Sequence, residues 1–164
     1  PDSPYFSNSA IELSASLNHD TVVIEDSVRL TEAIALDKVF DVRIIFHDVY
    51  LIADYDVKSK RFVNRKPKAY LWRDAEADFD GLPSNIGVAG KGKAVFNLTT
   101  PRNAGFEYTF TTKHIGIYLI IASWSPGGVE GEIRRQSQPV ILTVSPPKDK
   151  DGKDIIKQHW LISD

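Results

Sequence analysis

Apolar residues return at every second position along most of this chain. Between Ala10 and Leu17 they are Ile11, Leu13, Ala15 and Leu17, set against Glu12, Ser14 and Ser16. A period of two marks a strand with one buried face. Thr21 to Glu25 is a short β-branched run, and Val28 and Leu30 continue the pattern. From Val39 to His47, Phe40, Val42, Ile44 and Phe46 share one face while Asp41, Arg43 and His47 share the other. That spacing predicts His47 at a strand end on the exposed side. Tyr50 to Val57 and Ala69 to Trp72 are less regular, which suits strands near an edge. Lys93 to Thr99 and Phe106 to Thr111 follow, with Gly105 predicted as punctuation between them. Gly116 to Trp124 and Pro139 to Val144 complete the set.

Turn signals separate these runs: Asn18-His19-Asp20, Asp80-Gly81, Pro101-Arg102-Asn103 and Ser125-Pro126-Gly127-Gly128. No helical stripe exceeds about two turns. Thr31 to Lys38 is predicted as one short helix or a crossover turn, and Asp154 to Leu161 as one helix or a final strand. Short strands with frequent turns define an all-β protein, expected as an antiparallel sandwich of eight to ten strands. Residues 1–147 are read as that domain. Residues 148–164 are read as a charged segment that either packs back on the domain, through Trp160, or leads to a further one. The oppositely charged stretch 48–92 elaborates the centre.

The totals narrow the classes. At 164 residues a single domain buries roughly two thirds of its unfolded surface and needs no staples. With 42% apolar and 26% charged residues the chain is globular, and a formal charge of −2 argues against a general polyanion binder. Having no cysteine, it offers no disulfide, thiolate nucleophile or thiolate metal site. Methionine is absent even at the first position, so the chain is read as a processed product or excised segment. No apolar run approaches the roughly 18 residues of a membrane helix.

Gly116-Ile117-Tyr118, Trp124 and Pro139-Val140-Ile141-Leu142-Thr143-Val144 resemble the closing hairpin of immunoglobulin-like domains. In that family a tyrosine at the start of the penultimate strand often bonds back to upstream backbone, the tyrosine corner. The resemblance implies an immunoglobulin-like or related sandwich, though without the two cysteines of antibody domains and longer than their roughly 100 residues.

Four clusters bear on chemistry. Asp74, Glu76, Asp78 and Asp80 alternate with small or apolar residues; calcium is the cation such spacing suits. The EF-hand pattern fails, because Phe79 stands at the sixth place and Asn85 at the twelfth, and a solvated acidic turn is favoured. Lys58, Lys60, Arg61, Arg65, Lys66 and Lys68 lie beside Phe62 and Tyr70. The favoured reading is an edge strand guarded by lysines; the alternative is contact with a polyanion or a second copy. Tyr50, Tyr70 and Trp72 are the candidate rings for stacking on a sugar. Gly87-Val88-Ala89-Gly90-Lys91-Gly92-Lys93 leads into a strand, not a helix, so it is a hairpin loop and not a phosphate cradle.

Catalytic patterns are thin. The four histidines sit in separate segments without zinc spacing, and neither Gly-x-Ser-x-Gly nor Ser-x-x-Lys occurs. The chain is therefore expected to be no enzyme, to require no cofactor, and to act as a binding or structural module of a surface, secreted or assembly protein. Loops and an edge strand would meet a protein or glycan partner, with self-association open. The alternative is a carbohydrate-binding module, calcium-stabilised, attached to an enzyme. No specific nucleic acid is expected, and the expected location is extracellular or at the cell surface.

Overall fold

A computed structural model of the chain describes residues 11–36, 44–70, 93–97, 102–125 and 135–162. Among them are ten strands: β1 (Ile11–Leu17), β2 (Thr21–Val23), β3 (Ser27–Leu36), β4 (Ile44–Asp56), β5 (Arg61–Ala69), β6 (Lys93–Asn97), β7 (Arg102–Thr111), β8 (Gly116–Ser125), β9 (Arg135–Gln136) and β10 (Val140–Ser145). They form a four-stranded sheet in the order β1-β3-β7-β6 and a larger sheet in the order β2-β10-β8-β4-β5, with β9 also on β8. Every pairing is antiparallel except β2 with β10, which run parallel. The expected all-β class with two antiparallel-rich sheets is met.

One core joins the sheets. Leu13, Val28, Leu30 and Phe110 come from the smaller sheet; Val49, Leu51, Tyr118, Ile120, Leu142 and Val144 come from the larger. These are the alternate residues of their strands, so the period of two in the sequence is the inward half of each pleat. Fully burying each such side chain contributes about 1.5–3 kcal/mol. Asn18 closes the way from β1 to β3 from both sides: its amide donates to the Arg29 carbonyl at 3.0 Å, and its Oδ1 accepts the Arg29 amide at 2.8 Å.

Four expectations are corrected. Residues 31–36 form neither helix nor crossover; they continue β3, which pairs with β1 and β7 along its length. Helix propensity is a weak prior there, overridden by two strand neighbours. Gly105 does not punctuate but lies inside β7, opposite Ala33 and Val95. His47 is neither at a strand end nor exposed: β4 runs on to Asp56, and His47 is 6% exposed. Finally, the tail is neither helix nor strand over 154–161. It holds an isolated bridge between Lys148 and Asp154 and a 3-10 turn at Gln158–Trp160.

The tail is fastened to the body. Trp160 is buried, its indole Nε1 donates to Glu25 Oε1 at 2.9 Å, and its carbonyl accepts the Ile115 amide at 2.8 Å. The Lys157 ammonium stands 5.1 Å over the indole. No helix among the described residues is long and apolar enough to cross a membrane.

Candidate functional site

The hairpin of β4 and β5 carries the basic cluster and is held rigidly. Asp56 organises its turn: one carboxylate oxygen accepts the Lys58 amide at 3.1 Å, the other the Ser59 hydroxyl at 2.8 Å, and its carbonyl the Lys60 amide at 2.8 Å. Hydrogen bonds from Ser59, then Lys58, keep the Asp56 carboxyl below its ordinary range. Lys60 sits at φ 58°, in the left-handed region that tight turns demand. Val57, 42% exposed, and Lys58, Ser59 and Lys60 form the open tip.

Below the tip, each face of the hairpin has its own anchor. On the inner side Tyr55 and Phe62 meet edge to face, with centroids 5.1 Å apart. The Tyr55 hydroxyl donates to Asp154, which also receives the Lys148 ammonium. Burial first, and then Asp154, push the Tyr55 hydroxyl up to about 12, while Lys148 and Tyr55 hold the Asp154 carboxyl low. On the other side Arg65 Nη1 reaches both oxygens of Asp54 at 3.2 and 3.1 Å. Register slips between Leu51 and Ala53, where Asn64 and Lys68 of β5 stand opposite. That bulge, the exposed lysines and Pro67 are devices that discourage strand addition.

At the other end of the hairpin lies an aromatic cluster. Tyr70 follows β5 and packs on Tyr118, centroids 4.9 Å apart, and on the His114 ring at 5.7 Å. The Tyr70 hydroxyl is 2.5 Å from His114 Nδ1. Tyr118 donates its hydroxyl to the His114 carbonyl, four residues upstream, at 2.8 Å. Burial pushes the Tyr70 hydroxyl to about 12 and raises that of Tyr118 further. Burial, then the His159 charge, lower the His114 imidazole.

Sequence reasoning missed one pair altogether. Glu32 on β3, fully buried, meets His47 Nε2 on β4 across the two sheets. The second Glu32 oxygen is buried without a hydrogen-bond partner. A signal was present: Glu32 stands in the phase of Val28 and Leu30, where the alternation calls for an apolar residue.

The candidate residues therefore separate. All six basic residues fall on the β4–β5 hairpin, with Lys58, Lys60, Arg61, Lys66 and Lys68 exposed and Arg65 half-buried. Tyr50 is half-buried on β4, opposite Ala69, and Tyr70 is held in the aromatic cluster. Trp72 and the acidic run Asp74, Glu76, Asp78 and Asp80 lie outside the described residues. Among the described residues no three His, Cys, Asp or Glu side chains are grouped to hold a metal ion.

No protein-family model matches the chain. No curated protein matches it in sequence. Solved structures are similar at a distance, two of them being the following. The sporulation control protein Spo0M of Bacillus subtilis is 12% identical with a TM-score of 0.43, covering 84% of this chain and 50% of its own. The C-terminal domain of Wzt is 13% identical with a TM-score of 0.45, covering 86% of this chain and 75% of its own. The chain thus spans about half the length of Spo0M.

Proposed function

We propose that this chain is a non-enzymatic binding module of a surface, secreted or assembly protein, and that the β4–β5 hairpin tip makes its contact with a protein partner. The observation that carries the reading is an exposed cationic hairpin held by half-buried anchors. Val57, Lys58 and Lys60 face solvent while Asp56, Tyr55 and Asp154 fix the backbone beneath them. A contact presented in one conformation loses little entropy on binding. Its charge fits an acidic patch on the partner.

The finer architecture we propose is immunoglobulin-like, supported by the Tyr118 bond to the His114 carbonyl at the start of β8. The non-enzymatic reading is supported by the surroundings of Glu32 and His47. An acid–base pair that substrate reaches must meet solvent, and this one is sealed between the sheets.

The test is affinity capture from extracts of the source organism, comparing the wild-type chain with Val57→Ser/Lys58→Glu. The variant touches only exposed tip residues and should fold with unchanged stability. A partner retained by the wild type and lost by the variant supports the reading. Partners retained equally by both would sink it.

A further inference from the structure

The outer face of the larger sheet is apolar along one row of its register. Ile141 pairs with Leu119, Leu119 with Tyr50, and Tyr50 with Ala69, so these four side chains cross β10, β8, β4 and β5 side by side. They point away from the core, because their chain neighbours Leu142, Tyr118, Ile120 and Leu51 are fully buried on the inner face. Ile117 and Ile121 flank the row on β8, both half-buried. Three large apolar residues on this face stand well out in solvent: Ile141 at 42%, Val23 at 39% and Val63 at 48%. A one-sided antiparallel sheet normally turns polar residues to water. Apolar residues grouped on an outer face are what interaction surfaces are made of.

Charge at the two ends of the row indicates what covers it. At the β2 edge the exposed residues include Asp20 and Asp26, and Glu25, whose carboxylate accepts the Trp160 indole N–H below Lys157. At the β5 edge they include Arg61 and Lys66. Four strand spacings separate these edges, about 19 Å. That is beyond the Debye length of about 8–10 Å at ordinary salt, so the two ends do not neutralise each other within one copy. A second copy, related by a two-fold axis running along the strands, would lay its β2 edge over this β5 edge and the reverse. Such an isologous contact satisfies both ends at once and buries the apolar row between them.

We propose that the chain forms a symmetric dimer through the outer face of its larger sheet. The inference does not rest on partner capture at the hairpin tip.

Sedimentation equilibrium tests it with the chain as it is. The wild type should show a monomer–dimer equilibrium. Ile141→Lys should weaken it about tenfold without lowering the melting temperature. Two further proteins, R61E/K66E and D20K/D26K, should each dimerise poorly, because like charges then face each other at both ends. Mixed in equal amounts they should associate again, since each supplies the charge the other lacks. A wild type monomeric up to its solubility limit overturns the proposal and leaves the face to another protein. A mixture that fails to associate, where the wild type does, overturns the arrangement.

Discussion

Glu32 and His47 join the two sheets from inside the core, one side chain from β3 and one from β4, both withdrawn from water. A buried polar pair gains its mutual attraction and loses hydration, and the two are similar in size. Truncating one partner keeps the loss and removes the gain. His47→Leu leaves a carboxylate whose second oxygen already lacks a partner, and should cost about 3–5 kcal/mol by urea denaturation. Glu32→Leu should also destabilise, because it takes the Glu32 acceptor away from the buried His47 ring nitrogen. The double replacement Glu32→Leu/His47→Leu should recover most of the loss. Additive costs would show that the pair is not coupled.

Tyr118→Phe removes one hydroxyl and little volume. The His114 carbonyl loses its 2.8 Å donor, and the expected loss is about 1–2 kcal/mol. An unchanged denaturation midpoint would remove this hydroxyl as a stabilising element.

Gly116 opens β8 where a side chain has no room. A Cβ there would stand 2.6 Å from Leu51 Cδ1 and 3.2 Å from the Ala53 carbonyl oxygen. Leu51 is fully buried, so its methyl cannot swing into solvent. Gly116→Ala should destabilise by about 1–3 kcal/mol, the usual penalty of overpacking, although alanine suits a strand better than glycine elsewhere.

Acid should weaken the fold in two stages. His114 titrates below its ordinary 6.5, chiefly through burial, so the unfolded chain takes up its proton first. Stability then falls as pH drops from about 6.5 towards the folded value and is level below that. Asp154 titrates below its ordinary 3.8, so its contribution is present above that value and lost as pH falls through the folded one. Urea midpoints measured across pH should show both losses. In His114→Asn the first should vanish and the second remain.

Much of the scaffold is legible from alternation alone. Ile11 to Leu17, Lys93 to Asn97, Gly116 to Ser125 and Val140 to Ser145 are strands close to where the apolar period places them. Local pattern fails where a neighbour decides. Residues 31–36 carry a helix-compatible sequence, yet hydrogen bonds to β1 and β7 on both sides make them strand. The basic residues 58–68 are recognisable as an edge strand because lysine and proline suit the outermost position of a sheet. That Arg65 spends its charge on Asp54 while Arg61 does not is invisible to spacing.

Alternation, turn residues and the Gly-Ile-Tyr opening of β8 determined by themselves that this chain is all-β and where its inward residues lie, because a strand's period is a property of the backbone. Which strands share a sheet, that β2 runs parallel to β10, that Trp160 reaches back to Glu25, and that Glu32 finds His47 were decided only by the tertiary structure. Those contacts join residues 15 to 135 positions apart. Their energy comes from two elements excluding water together, and no window along one of them contains the other.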